Sequence, residues 1–438
     1  VIYHYRYPAA VKRRIPAMTS NSQTLSAISA GTAIDWDHMR PTYDDSSTQQ
    51  ECDAVAKLML IVGQSLKMGY GPSSGSSYAD ARRLLVDHLG YDDGVQVLRS
   101  DNYAIGEWLD MIYGELEKGY PVAYGGSSTG GGHAFVIDGY DGADMFHVNW
   151  GWGGASNGYF RLSVLAPGDN AGMGASSSAD GYSMAQDAIL YLRAEDDGIP
   201  YNPETGKHLS INDTRVDATS IFSNYINWTG ALGSFQTAIV EKDADGQWTP
   251  VTDVRTITLD VNTYVGQTFD LTGRLSPGTH SLTPASKLAA EQTWTPLYDS
   301  KVEYVEAVAD ENGAVTLTKV DMPIGLEVEH WAFPGTLKAG DRQTVNISMR
   351  NNGAEFKREV ALYASKTADM GASVSRALIG VEEGGSDEFA FFFTPQTTGT
   401  YNLWLTLNSD SRKVIARTTV DVAATAKRQA SIEVGQVS

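Results

Sequence analysis

Between Asp53 and Met68 the apolar residues Val55, Leu58, Met59, Val62 and Leu66 recur at the i, i+3, i+4, i+7 and i+11 spacing of one buried helix face. The stripe stops at Gly69-Tyr70-Gly71-Pro72. After the serine-rich loop that runs to Ser77, two more helices are predicted, over about 78–89 and 104–118. The period then shortens to two. Pro121–Tyr124, Ala134–Asp138 and Phe146–Asn149 read as strands, so helices followed by an antiparallel sheet predict an α+β domain over residues 1–195. Past about residue 205 helical periodicity gives way to short alternating segments between turn signals. Thr237–Glu241 precedes Asp243-Ala-Asp-Gly-Gln-Trp248, and Tyr304–Val308 and Ala314–Thr318 flank Asp310-Glu-Asn-Gly313, both in the manner of hairpins. A second all-β unit is expected from Met322-Pro323, through Thr344–Met349, Asn351-Asn-Gly353, Glu388–Phe393 and Tyr401–Leu407. The predicted organisation is therefore one α+β domain, two β-sandwich modules of immunoglobulin-like type at 205–318 and 319–425, a linker near 196–206, and a patternless tail at 426–438.

Composition narrows the class of function. The 438 residues are 42% hydrophobic and 20% charged, which suits a multidomain globular protein, and no apolar run reaches the roughly 20 residues of a membrane span. Lys and Arg number 33 against 53 Asp and Glu, so the formal charge is −20, a field that repels nucleic acid. Cys52 is the single cysteine, which excludes an internal disulfide framework and a cysteine-rich metal site. No metal or other cofactor is expected. The opening Val1-Ile2-Tyr3-His4-Tyr5 has neither an initiating Met nor a leader pattern, and is read as a fragment or processed product.

Candidate chemistry concentrates in the glycine- and aromatic-rich block, where sixteen of the 44 glycines lie between Gly119 and Gly181. Gly130-Gly-Gly-His133 opens one strand and Asn149-Trp150-Gly-Trp152-Gly-Gly154 closes the next. With the turn placed at Asp141-Gly142, His133 falls opposite residue 149 or 150, and it shares a face with Asn149 only if the loop, or a bulge, has odd parity. A neutral imidazole needs one nitrogen fixed before the other can act as a base, and the Asn149 amide oxygen is the expected partner, shielded by Trp150 and Trp152. Bare glycine backbone before His133 would let an extended peptide lie close. Taken singly, a histidine in such a hairpin is an ordinary structural residue; the surrounding elements tip the reading towards chemistry.

These residues resemble the streptopain family of bacterial secreted cysteine peptidases, on the strength of GGHAFVIDGYDG and FHVNWGWGG, with YGPSSGSS upstream and GYFRLSVL downstream. The resemblance spans about residues 1–195 and implies a papain-like fold and a Cys–His endopeptidase of broad acceptance. It implies His133 as general base, Asn149 and Trp150 as its catalytic supports, and Ser74, Ser76 and Gly132 as substrate-binding positions. It also implies a nucleophilic cysteine upstream of a Tyr-His-x-Tyr-Pro element, which Val1–Pro8 resembles, so the nucleophile, propeptide and leader are expected before Val1. Cys52 is the alternative nucleophile: it opens a helix, which favours a thiolate, but Glu51 and Asp53 beside it do not. A structural thiol is the preferred reading. The remaining histidines read as structural. The expected product is a secreted or cell-surface zymogen acting on protein or peptide substrates, with β-modules contacting cell-surface or host extracellular proteins. A catalytically dead domain serving as an adhesion module is the alternative.

Overall fold

The computed structural model describes residues 1–424 apart from 72, 129, 143, 168–180, 196–207, 230–231, 261–262, 300–301 and 409. The expected linker and tail lie outside the described residues.

A single helical turn, α1 (Ile2–Tyr5), and a small hairpin, β1 (Met18–Ser20) with β2 (Gln23–Leu25), precede the main elements. Helix α2 (Gln49–Ser65) starts four residues earlier than its apolar stripe suggests, because Thr48 and Glu51 form a reciprocal capping box: the Thr48 hydroxyl takes the Glu51 N–H and the Glu51 carboxylate takes the Thr48 N–H at 2.7 Å. Of the expected stripe, Leu58 is buried and Val62 and Leu66 pack against the same core. Ala54, Leu58, Ile61 and Ser65 point inward, whereas Met59, assigned to the stripe, is 68% exposed. Helix α3 (Tyr78–Arg83) runs on as a π turn over Leu84–His88, together filling the predicted second helix.

After β3 (Gln96–Arg99) and α4 (Ile105–Glu117) come β4 (Val122–Ser128), β5 (Gly131–Tyr140), β6 (Phe146–Asn149), β7 (Gly158–Phe160) and β8 (Met184–Leu190). They form one antiparallel sheet in the order β3-β8-β4-β5-β6-β7. Both faces are covered. Val97 and Ile189 join the α2 side with Leu58, Ile61 and Trp36, while Tyr124, Phe135, Ile137 and Val148 pack with Trp108 and Ile112 of α4 on the other. α4 is pinned at its far end by Glu115, only 3% exposed, which takes both guanidinium nitrogens of Arg193 at 2.7 and 2.9 Å and the Tyr191 N–H at 3.1 Å.

Beyond residue 208 the described residues hold strands and no helix. A sheet of Ser210–Val216, Ser220–Ile226 and Tyr264–Asp270 shares a core with one built on Gly233–Lys242, Gly278–Leu288, Val302–Ala309 and Val315–Asp321, through Tyr225, Phe235, Phe269, Leu282 and Val305. Both expected hairpins are present, at 243–247 and 310–314. The boundary expected at 318/319 falls inside the strand Val315–Asp321, which pairs back on Val302–Ala309, so the first β unit continues to Asp321. In the second unit Leu326–Ala332, Gln343–Asn351 and Ser386–Phe393 face Phe356–Ser365, Ser373–Val381, Gly399–Leu407 and Asp410–Val422. Asn351 makes the corner where the chain leaves one sheet for the other: fully buried, it donates to the carbonyls of Ala354 and Val381 and accepts from the Gly353 N–H.

Replacing Glu115 by Ala strips the partly buried Arg193 guanidinium of its buried carboxylate; a loss of about 3 kcal/mol is expected in denaturant unfolding, against a small change for the exposed pair Arg215–Asp213.

Candidate active site

His133 lies near the start of β5, beyond a turn that one glycine explains outright. Gly131 has φ +143°, a conformation side chains rarely tolerate, and the Ser128 hydroxyl donates to its carbonyl at 2.8 Å. Gly132 pairs with Ser127 and is exposed, so bare backbone runs up to His133.

The β5–β6 register differs from the expected one. The strands pair Tyr140 with Phe146 and Gly139 with His147; Asp138 then bulges, and pairing resumes as Ile137 with Val148 and Val136 with Asn149. The connection spans residues 141–145, an odd length that by itself would suit a His133–Asn149 face, but the bulge reverses the parity and the turn sits farther along the chain than Asp141-Gly142. His133 therefore shares a face with Phe135, Ile137, Val148 and Trp150, and Asn149 points to the other. The expected His133–Asn149 hydrogen bond is replaced by one from His133 to the main-chain oxygen of Trp150, at 2.9 Å from Nε2.

That oxygen can only accept, so Nε2 carries the proton and the ring is the tautomer with a lone pair on Nδ1. Rings enclose it: Trp152 stacks at 5.0 Å and 27°, Trp150 at 6.3 Å and 18°, and Tyr182 lies tilted at 5.3 Å. Burial in this cage lowers the His133 pKa below its ordinary 6.5, partly countered by the bond to the Trp150 carbonyl, so the imidazole is neutral at pH 7.

Asn149 acts on the same carbonyl from a distance. Its Oδ1 accepts the Gly151 N–H at 3.0 Å while Asn157 Oδ1 accepts the Trp150 N–H at 3.1 Å, so the peptide units on both sides of Trp150 are held by asparagine side chains. Trp150 is fully buried. Ser74 and Ser76 are engaged within their own loop, Ser74 with the main chain of Gly71 and Ser76 donating to the Leu66 carbonyl at the end of α2. The structure thus brings together His133, Trp150 and Trp152, sets Asn149 one step behind them, and holds the two serines in a separate loop.

Tyr182 is the wall residue the sequence reading missed. It follows a segment outside the described residues, and its place is set by backbone: a Cβ at Gly126 would lie 1.9 Å from the Tyr182 carbonyl, so the close approach of these chains requires glycine there. Behind it runs a buried polar chain. Trp108 Nε1 donates to the Tyr124 hydroxyl at 2.8 Å, Tyr124 donates to Gln186 Oε1, and Gln186 Nε2 donates to the carbonyls of Leu162 and Ser183. His147, one of the histidines read as structural, meets Asp138 at 2.5 Å and Tyr159 edge-on. Cys52 is half-buried in the first turn of α2, a helix whose core is the one on the opposite side of the sheet from the His133 cage. Among the described residues no group of three or more His, Cys, Asp or Glu could hold a metal ion, and no helix is long and apolar enough to cross a membrane.

A neutral, caged imidazole with one nitrogen fixed, on an antiparallel sheet beside a helical layer, is the arrangement of a cysteine-peptidase type of domain. Residues 1–160 match the model of the Peptidase C10 family, and the chain is a streptopain-like member of that family. It is 34% identical over 201 residues to Streptopain of Streptococcus pyogenes serotype M1, an alignment covering 44% of this chain and 50% of that protein. It is 29% identical over 239 residues to the "Thiol protease/hemagglutinin PrtT" of Porphyromonas gingivalis, 52% of this chain and 27% of that one. Among solved structures it is similar to the active wild-type interpain A cysteine protease of Prevotella intermedia, at 30% identity and TM-score 0.39, over 46% of this chain and 80% of that one. The chain spans about half the length of the streptopains it matches.

Two outcomes are expected from the cage. Because the folded pKa of His133 lies below its unfolded value, its contribution to stability is present above pH 6.5 and declines as pH falls below that point; Trp152→Ala, which opens the cage, moves the pKa read by imidazole NMR back up towards 6.5. Asn149→Ala leaves the Nε2 proton on the Trp150 carbonyl and perturbs that pKa less than Trp152→Ala does.

Proposed function

We propose that this chain is the main part of a bacterial cysteine endopeptidase that hydrolyses protein substrates, with His133 as general base and a nucleophilic cysteine supplied upstream of Val1. The observation that carries the reading is the state of the imidazole: Nε2–H is committed to the Trp150 carbonyl, which leaves the Nδ1 lone pair to take a thiol proton. The thiolate would attack the peptide carbonyl carbon, and the proton held by His133 would pass to the leaving amine. Water, deprotonated by the same nitrogen, would then release the acyl group. Asn149 serves by orienting the Trp150 peptide, and Trp150 and Trp152 by keeping water from the Nε2 bond. The exposed backbone at Gly132 and the loop of Ser74 and Ser76 are the proposed peptide-binding wall. No step calls for a metal or cofactor.

Cys52 is not the nucleophile in this reading, since its helix packs on the far side of the sheet. The protein is read as secreted or displayed at the cell surface as a zymogen, with the β units as immunoglobulin-like sandwiches that bind surface or host extracellular proteins.

The test uses the full gene product, including whatever precedes Val1, after activation. Casein hydrolysis blocked by a thiol-directed epoxide is expected. His133→Ala should lower the rate by a factor on the order of 10⁴ or more, and Cys52→Ser should leave it unchanged. Absence of thiol-dependent hydrolysis, or hydrolysis that survives His133→Ala, would sink the proposal and favour a binding role; loss of activity in Cys52→Ser would transfer the nucleophile to α2.

A further inference from the structure

A cavity of about 400 Å³ opens where the second β unit meets the first domain, a larger one of about 1230 Å³ lies mainly between the two β units, and Lys357 lines both. Around it the two bodies are joined by bonds of opposite sense to one short stretch of backbone. Glu355, at the foot of the strand Phe356–Ser365, accepts the N–H of Ile105, the first residue of α4, at 3.1 Å. Lys357, two positions on, donates through Nζ to the carbonyl of Ser100 and, at 2.6 Å, to that of Tyr103. A carboxylate thus meets the positive end of the helix and an ammonium meets the carbonyls just before it. Burial lowers the Lys357 pKa to about 8 in spite of Asp101, Glu355 and Glu107, while Glu355 itself stays exposed at the rim of the contact.

Neighbouring positions fit the same docking. Gly380 pairs with Lys357 across the sheet, and a Cβ there would stand 2.9 Å from Ile105 Cδ1. Arg161, just after β7, is ion-paired with Asp387.

α4 is also the helix under the His133 cage. Trp108, one turn in, begins the chain of hydrogen bonds through Tyr124 and Gln186 to the Ser183 carbonyl, and the adjoining Tyr182 is the ring tilted over His133. The Tyr182 N–H is itself held by the Leu165 carbonyl at 2.8 Å, and the Leu165 N–H by the Ser183 hydroxyl at 2.9 Å.

We infer that the second β unit is a working part of the His133 site: Glu355 and Lys357 are positioning residues that set α4 and, through Trp108, Tyr124 and Gln186, hold Tyr182 against the imidazole. This deepens the reading of His133 as the general base and rests on it for its catalytic meaning, though the coupling itself is a property of the folded chain. The path is contiguous, so it yields to direct measurement.

The experiment follows the His133 imidazole by NMR titration in the full chain, with the resonance assigned by its loss in His133→Gln. Two variants undock the unit from different sides: Glu355→Ala with Lys357→Met, and Gly380→Leu, which drives a side chain into Ile105. A third, Trp108→Phe, removes the Nε1–H donor and leaves Glu355, Lys357 and Gly380 in place. In each, the His133 pKa is expected to rise towards 6.5, whereas Glu355→Asp retains the wild-type value. A His133 titration unchanged in the folded undocked variants overturns the inference, and so does one unchanged in Trp108→Phe alone, which breaks the proposed route. Should the double variant fail to fold, Gly380→Leu carries the test. Casein hydrolysis is scored separately: inactivity of the wild-type protein would sink the base role of His133 and leave the measured coupling standing.

Discussion

The surroundings of His133 depend on where one carbonyl points. An imidazole with both nitrogens free rotates and exchanges tautomers; one whose Nε2–H is held by a fixed acceptor presents a single basic nitrogen in a single direction. Here the acceptor is the main-chain oxygen of Trp150, and much of the local structure serves to aim it. Asn149 and Asn157 grip the peptide units on either side, the Trp150 ring is buried to immobility, and the bulge at Asp138 turns His133 to the face where that oxygen lies. A backbone acceptor cannot be lost by substitution. It can be lost by a one-residue change in hairpin length, which would send every side chain of β5 beyond the bulge to the opposite face of the sheet.

The same reasoning explains what could be read from the chain and what could not. The helices, the three strands and the hairpins after residue 205 announce themselves through periodicity and turn chemistry, and the Gly-Gly-His and Asn-Trp-Gly-Trp elements identify the neighbourhood of the site. The partner of His133 was hidden because parity depends on a bulge, and Asp138 in an otherwise regular alternating run carries no signal for one. Asn149 looked like a direct partner because side-chain amides are visible in a sequence and main-chain oxygens are not. The α2 stripe holds at Leu58, Val62 and Leu66 and fails at Met59, whose place inward is taken by the small residues Ala54 and Ser65, since close approach to the neighbouring layer selects for size as well as hydrophobicity. Tyr182 and the Trp108–Tyr124–Gln186 chain join residues up to 62 positions apart, beyond the reach of any local pattern.

The β units show a complementary division of labour. Their interiors are ordinary apolar cores between facing sheets, legible as alternation, while the second unit meets the first domain through polar residues at element ends as well as through apolar contacts such as Val164 on its core. Glu355, Lys357 and Asp387, the residues that bond or pair with the first domain, belong to the second unit.

The strand order of the first sheet has a consequence for how the protein is made. β8, the last strand of the domain in sequence, lies between β3 and β4. A chain emerging from the ribosome can pair β4, β5, β6 and β7 as successive hairpins, but β3 has no partner until residues 184–190 have been synthesised, and the turn carrying Tyr182 immediately precedes them. Closure of the sheet and completion of the histidine cage are therefore the same late event, set by the length of chain that must first be released. A domain of this topology keeps the ring cage around His133 open until its last strand has been released, an ordering that resides in connectivity alone.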